Sequence, residues 1–197
     1  MQHSKPANFI QHATLAVLGL ACAITASGQP RAIDAAKSTM TVHAYKAGML
    51  SAFGHDHDIS APVAAGTIDV AGRHVELQVN AAALKVQDPK ASDKDRAEIQ
   101  ANMLGPEVLD VDHHKEIRFR STAAEPVGQG AWKLSGDLTL RGATHAVSME
   151  VHERDGHYTG NCRFKITDFG IKPIKAAGGT VRVKDEVQID FDIQLAR

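Results

Sequence analysis

A chain of 197 residues with a formal net charge of −1 is long enough for one domain with a sizeable core, without a second domain. A charge so close to zero argues against an electrostatic nucleic-acid binder, because such a protein needs a basic face. The 11 histidines are the one unusual feature of the composition.

Residues 1–28 predict a signal peptide. Lys5 supplies a positive charge, and the apolar run from Ala13 to Ile24 is too short to span a bilayer. Small residues follow at Ala26-Ser27-Gly28, as a signal peptidase requires, so we expect export to the periplasm. Two alternatives are a buried N-terminal helix and lipoprotein processing at Cys22.

Residues 31–197 predict one domain of β-strands, because apolar and polar residues alternate with a period of two. Val75, Leu77 and Val79, for example, alternate with polar side chains. Removal of the signal peptide would leave Cys162 without a partner for an internal disulfide. Its position in an apolar register predicts a small buried side chain rather than a reactive thiol.

The segment Gly54 to Ile59 reads GHDHDI. In an extended strand, His55 and His57 share the more apolar face, where their imidazole nitrogens could hydrogen-bond the polar group of a ligand. An alternative is a metal or haem site on the same histidines, with His43 as a third ligand. A solvated polar turn is the third interpretation.

One segment, Ser92 to Leu104, predicts a helix. Ser92 can cap the first turn, with Asp95 three residues later, and Gly105-Pro106 ends the pattern. Ile99 and Met103 lie four residues apart and therefore share a face, which we expect to cover one barrel end.

The strongest alternation is at the C-terminal end, where five apolar residues alternate with acidic and amide side chains. They are Val187, Ile189, Phe191, Ile193 and Leu195. About eight such segments, joined mostly by short connections, favour an all-β fold. An extended antiparallel eight-stranded β-barrel is predicted rather than a sandwich, because closure removes exposed strand edges.

Several motifs resemble the YceI-like family. Gly136 to Val147 reads GDLTLRGATHAV and resembles the family segment GDLTLxGxTxxV. Leu109 to Val111, followed by Ile117 to Thr122, resembles its FDVxxxPxIxFxST block. Asp168 to Ile171 and Asp185 to Val187 resemble its DFGI and DEV signatures. The resemblance implies a lipocalin-like barrel, commonly periplasmic, that binds polyisoprenoid-type lipids in an internal tunnel.

The predicted function is therefore a periplasmic carrier of a long apolar isoprenoid-type lipid, a polyprenyl or a quinone, with no other cofactor. His55 and His57 are the predicted head-group residues. The predicted lipid-binding residues share the inward register, where the alternative is that they fill a solid core. They are Leu77, Val79, Ile117, Phe119, Trp132, Leu134, Met149, Phe164, Ile189 and Phe191.

No catalytic residues are predicted, and the chain is not expected to be an enzyme. It lacks the G-x-S-x-G, H-E-x-x-H and dinucleotide-binding motifs. The expected partners are an apolar lipid and, during lipid exchange, a membrane or a membrane protein. Two further alternatives are a homodimer and a structural barrel whose outer surface binds a partner protein.

Overall fold

The computed structural model describes residues 29–47, 56–89, 91–173, 175–176 and 181–196. The predicted signal peptide, residues 1–28, and the predicted head-group residue His55 lie outside these ranges. Within the described ranges, no helix has the length and apolar character needed to cross a membrane.

The described chain forms one sheet of twelve strands, and an α-helix packs beside it. The helix is α1 (Asp93–Leu104). The strands are β1 (Arg31–Ala32), β2 (Thr39–Ala47), β3 (His57–Ser60), β4 (Val63–Asp69), β5 (His74–Asn80), β6 (Lys85–Val86), β7 (Glu116–Gly128), β8 (Ala131–Leu140), β9 (Ala143–Arg154), β10 (His157–Lys165), β11 (Lys175–Ala176) and β12 (Val181–Gln194). Their order is β1-β4-β5-β7-β8-β9-β10-β12-β2-β3-β6, with β11 beside β12.

The sheet is so strongly curled that β4 and β12, which are far apart in this order, both bind the same N-terminal segment. The Ile33 N–H donates to the Gly66 carbonyl of β4 at 2.9 Å. On the other side, the Asp34 N–H donates to the Gln194 carbonyl of β12 at 2.8 Å. The N-terminal segment thus joins the two, and the sheet encloses an interior as a barrel does.

The predicted all-β, antiparallel architecture is confirmed, but the predicted count of eight strands is wrong. Three of the twelve strands, β1, β6 and β11, contain two residues each, which is too short for alternation to show in the sequence. Pro62 lies between β3, which pairs with β2, and β4, which pairs with β5. Proline has no backbone N–H to donate to a strand partner, and at Pro62 the chain passes from pairing with β2 to pairing with β5.

The predicted helix is confirmed as α1. The Ser92 hydroxyl accepts a hydrogen bond from the Asp95 N–H at 3.1 Å, which satisfies one of the free donors of the first turn. Met103 is buried and Ile99 is half-buried, and both pack against the hydrophobic core. The shared face predicted from their spacing therefore covers the interior.

Gln100 of α1 replaces a strand neighbour for the exposed edge of β6. Its Oε1 accepts from the Val86 N–H at 2.9 Å, and its Nε2 donates to the Leu84 carbonyl at 2.8 Å. One amide side chain therefore satisfies a backbone donor and a backbone acceptor that would otherwise lack a strand partner.

Replacing Gln100 with alanine is expected to lower the free energy of unfolding by about 1–3 kcal/mol, because two backbone groups next to buried residues lose their partners. Asn102→Ala, at an exposed position of the same helix, is the matched control and is expected to change it by less than about 0.5 kcal/mol. Urea titration followed by circular dichroism measures both. Equal values for the two variants would contradict the role of the edge bonds.

The DFGI motif closes the core at the end of β10. Residues Ile166–Phe169 form a 3₁₀ turn, and Gly170 follows with a φ of +72°, a conformation that glycine adopts without strain. The turn directs Phe169 and Ile171 inward, where each is only 2% exposed. The Phe169 ring meets that of Phe164 edge to face at 5.3 Å.

Candidate ligand-binding cavity

The inner face of the curled sheet surrounds a cavity. Its volume is about 200 Å³, measured as the space that the centre of a water-sized sphere can reach. Side chains from β2, β4, β5, β7, β8, β9, β10 and β12 line it, so the curvature of the whole sheet forms the wall.

All ten residues predicted to contact lipid lie on this wall. They are Leu77, Val79, Ile117, Phe119, Trp132, Leu134, Met149, Phe164, Ile189 and Phe191. The strand register explains the agreement, because residues paired across strands point to the same face: Leu77 is paired with Phe119, which is paired with Leu138. Their role as lipid ligands stays a prediction.

One end of the cavity merges with the packed core. Leu84, Leu138 and Val147 belong both to the cavity wall and to the buried cluster that contains Phe169. Met103 of α1 is part of the same cluster. Core side chains therefore fill this end of the cavity.

The opposite end carries the charged and imidazole groups of the wall. Asp69, Arg73 and His74 line it, all on the hairpin between β4 and β5. The sequence reasoning missed these residues, since Ala71-Gly72 indicates a turn but not that the turn borders a cavity. Val70, on the same hairpin, is 52% exposed.

The Arg73 guanidinium lies over the indole of Trp132, with 5.9 Å from its central carbon to the ring centroid. That distance is within the range of a cation–π contact. Asp69 accepts a hydrogen bond from the Gly72 N–H at 2.7 Å, which ties the carboxylate to the turn. The cationic group is thus held at the opening by an aromatic residue of the wall.

Two side chains near this end have shifted pKa values. A hydrogen bond from His74 and the nearby Arg120 guanidinium lower the pKa of Glu76. Burial raises the pKa of Tyr158, which lines the same end, and the Glu153 carboxylate adds to that effect. Tyr158 is therefore a neutral phenol at physiological pH.

Cys162 also lies on the cavity wall. It is buried, as its register predicted, and burial raises the pKa of its thiol to about 11. Because the thiolate is the reactive form, the native protein holds this cysteine in an unreactive state.

We expect alkylation of Cys162 by iodoacetamide at about pH 8 to be at least about a hundredfold slower in the native protein than in urea, since the thiolate fraction falls with the raised pKa. Mass spectrometry of the alkylated chain against time gives both rates. Comparable rates would show that the thiol is accessible and ionised in the folded state.

His57 is on the inward-facing register of β3, but it contacts a buried carboxylate rather than the cavity. Its Nδ1 lies 2.5 Å from Asp88 Oδ2, and Asp88 is 3% exposed. The other carboxylate oxygen accepts from the Asp58 N–H at 2.8 Å. The pair joins β3 to the segment after β6, and the predicted head-group role of His57 stays a prediction.

His43 and His57 lie on opposite faces of the sheet. His43 is paired with Asp58, and Ala44 with His57, so the two histidines differ by one residue in register. The ring nitrogens of His43 face Asp58 at 2.7 Å and Asp190 at 3.2 Å. These two histidines therefore do not converge on one ion, and the described part of the chain contains no group of three or more metal-ligating side chains suitably placed.

Comparison with known proteins agrees with this architecture. A model of the YceI-like domain family matches residues 32–195. A UPF0312 protein of Vibrio parahaemolyticus is 26% identical over 114 residues, which cover 52% of this chain and 59% of that protein. A UPF0312 protein of Shewanella oneidensis is 31% identical over 91 residues, or 41% of this chain and 47% of that protein. The chain thus spans about half the length of these curated relatives.

Two solved structures share the fold. The crystal structure of BcnA from Burkholderia cenocepacia matches with a TM-score of 0.59 at 20% identity, over 84% of this chain and 99% of that chain. A mutant YceI protein of Campylobacter jejuni matches with a TM-score of 0.51 at 11% identity, over 99% and 94%. Because the family match extends over nearly the whole described region, the chain belongs to the YceI-like family.

Proposed function

We propose that this protein is a periplasmic carrier that holds one long apolar lipid of the isoprenoid type, a polyprenyl or a quinone, inside the curled sheet. The observation that carries the proposal is a cavity with an apolar wall that core side chains fill at one end and that Asp69, Arg73 and His74 border at the other. The match to the YceI-like family also supports the proposal, because resemblance to that family implies lipid binding in an internal tunnel.

The energetics favour a slender apolar chain. Each methylene transferred from water contributes about 0.8 kcal/mol, so one five-carbon prenyl unit contributes about 4 kcal/mol. The ten predicted contact residues have aliphatic, aromatic or thioether side chains, which provide apolar surface for such a chain. The proposal involves binding without a chemical step.

Export and lipid exchange belong to the same proposal. The apolar run before Ala26 supports delivery to the periplasm. Transfer of the lipid would bring the protein into contact with a membrane or a membrane protein.

Mass spectrometry of an organic extract tests the proposal. The protein is purified from the periplasm without detergent, and its extract is compared with that of an unrelated periplasmic protein prepared in parallel. We expect one polyprenyl or quinone species near one mole per mole of protein. An extract of folded protein that contains only the background lipids of the control would contradict the proposal.

A further inference from the structure

We infer that the open end of the cavity binds the anionic head group of a single-chain lipid, a phosphate or a carboxylate, through the guanidinium of Arg73. This inference rests on the proposed function and specifies the ligand, since it favours an anionic prenyl lipid over a neutral quinone.

Among the described residues, Arg73 finds no hydrogen-bond acceptor, in contrast to the other arginines. Each of the others whose side chain the structure describes contacts a carboxylate, a side-chain amide or a main-chain carbonyl. The contact described for the Arg73 guanidinium is with the face of Trp132. An aromatic face positions a guanidinium without occupying its N–H donors, so these donors stay available for an oxyanion.

The carboxylates near this end already have partners. Asp69 accepts from the Gly72 N–H, and Glu153 accepts from the Gly156 N–H at 3.2 Å. Glu76 is paired with His74 and Arg120. Within the described part of the chain, none of these carboxylates contacts the Arg73 guanidinium, so its N–H donors remain available to a phosphate or carboxylate ligand.

A neutral hydrogen-bond donor at the same end, the Tyr158 hydroxyl, suits an oxyanion as well. Tyr158 lines the opening as a protonated phenol, and no hydrogen bond of its hydroxyl is made within the described part of the chain. From this end β5 runs from His74 to Val79, which is 3% exposed and belongs to the core. A lipid with its head at Arg73 would therefore extend its tail along β5 toward the end that core side chains fill.

Three probes that share the geranylgeranyl hydrocarbon chain and differ in the head group test the preference for an anion: geranylgeraniol, geranylgeranoic acid and geranylgeranyl monophosphate. Each is titrated calorimetrically into protein from which bound lipid has been removed. The fluorescence of Trp132, the only tryptophan, reports whether the probe reaches the cavity. The variants are Arg73→Gln and, as a control for loss of a positive charge, Arg154→Gln, whose side chain is exposed and paired with Asp155.

We expect the native protein to bind at least one of the two anionic probes about tenfold or more tightly than the alcohol. Arg73→Gln should abolish that preference without changing the affinity for the alcohol, and Arg154→Gln should keep it. The relative affinities of acid and phosphate then distinguish the two oxyanions.

Equal affinity for all three probes, unchanged in Arg73→Gln, would overturn the head-group inference and leave the lipid-carrier function standing. Failure to bind any probe, with folded protein and an unchanged Trp132 signal, would instead contradict the proposed function itself. The two failures are therefore distinguishable.

Discussion

Replacing Ala124 with tryptophan is expected to abolish lipid retention, whereas replacing its neighbour Ala123 with tryptophan is expected to leave it unchanged. The two residues are adjacent on β7 and point to opposite faces. Ala124 lines the cavity and is paired with Leu134, while Ala123 is exposed and is paired with Ser135.

The physical reason is loss of space. The centre of a water-sized sphere can reach only about 200 Å³ of the cavity, so an indole side chain on the wall is expected to displace the ligand. Overpacking also costs about 1–3 kcal/mol of folding free energy, which a protein of this size can tolerate. The same side chain on the outer face meets solvent and neither displaces lipid nor strains the core.

Lipid content is measured by mass spectrometry of organic extracts, normalised to folded protein as judged by circular dichroism. Ala124→Leu, with a smaller side chain, is expected to retain an intermediate amount and serves if the tryptophan variant folds poorly. Folded Ala124→Trp protein with a full complement of lipid would show that the lipid binds elsewhere.

Replacing Phe169 with alanine is expected to lower the free energy of unfolding by about 3–5 kcal/mol. The ring is 2% exposed, packs against Phe164 and lies 5.2 Å from the ring of His145. Its removal leaves a hole that the surrounding strands cannot close, because hydrogen bonds hold their backbones in register.

Asp168→Ala is the matched control, since Asp168 is the exposed neighbour in the same turn. It is expected to change the free energy of unfolding by less than about 0.5 kcal/mol. Denaturant titration of both variants measures the difference. A loss below about 1 kcal/mol for Phe169→Ala would mean that the DFGI turn does not anchor the core.

The alternation of apolar and polar residues predicted the cavity wall because that signal is local. In a strand, a residue's face depends only on its position in the alternation, so Leu134 and Phe191 could be assigned inward without knowing their neighbours. The helix was predictable for the same reason, since the cap at Ser92 and the spacing of Ile99 and Met103 act within a few residues.

The polar end of the cavity was not predictable in this way. His74 belongs to the polar set of its strand, yet it lines the opening because the hairpin borders the cavity. The contact between Arg73 and Trp132 joins the β4–β5 hairpin to the β7–β8 hairpin, and β5, β6, α1 and β7 lie between the two residues in the sequence. The partner of His57, Asp88, is 31 residues away and is not indicated by either residue's surroundings.

Local sequence patterns were sufficient to assign the inward-facing side chains, the two ends of the helix and the family that the motifs resemble. Each of these depends on short-range periodicity, capping or motif spacing. Three features are visible only in the folded chain: the sheet of twelve described strands, the joining of β4 to β12 by residues 31–34, and the contact of the Arg73 guanidinium with Trp132 at the opening. The reason is that these features depend on contacts between distant segments, which form only when the sheet has curled.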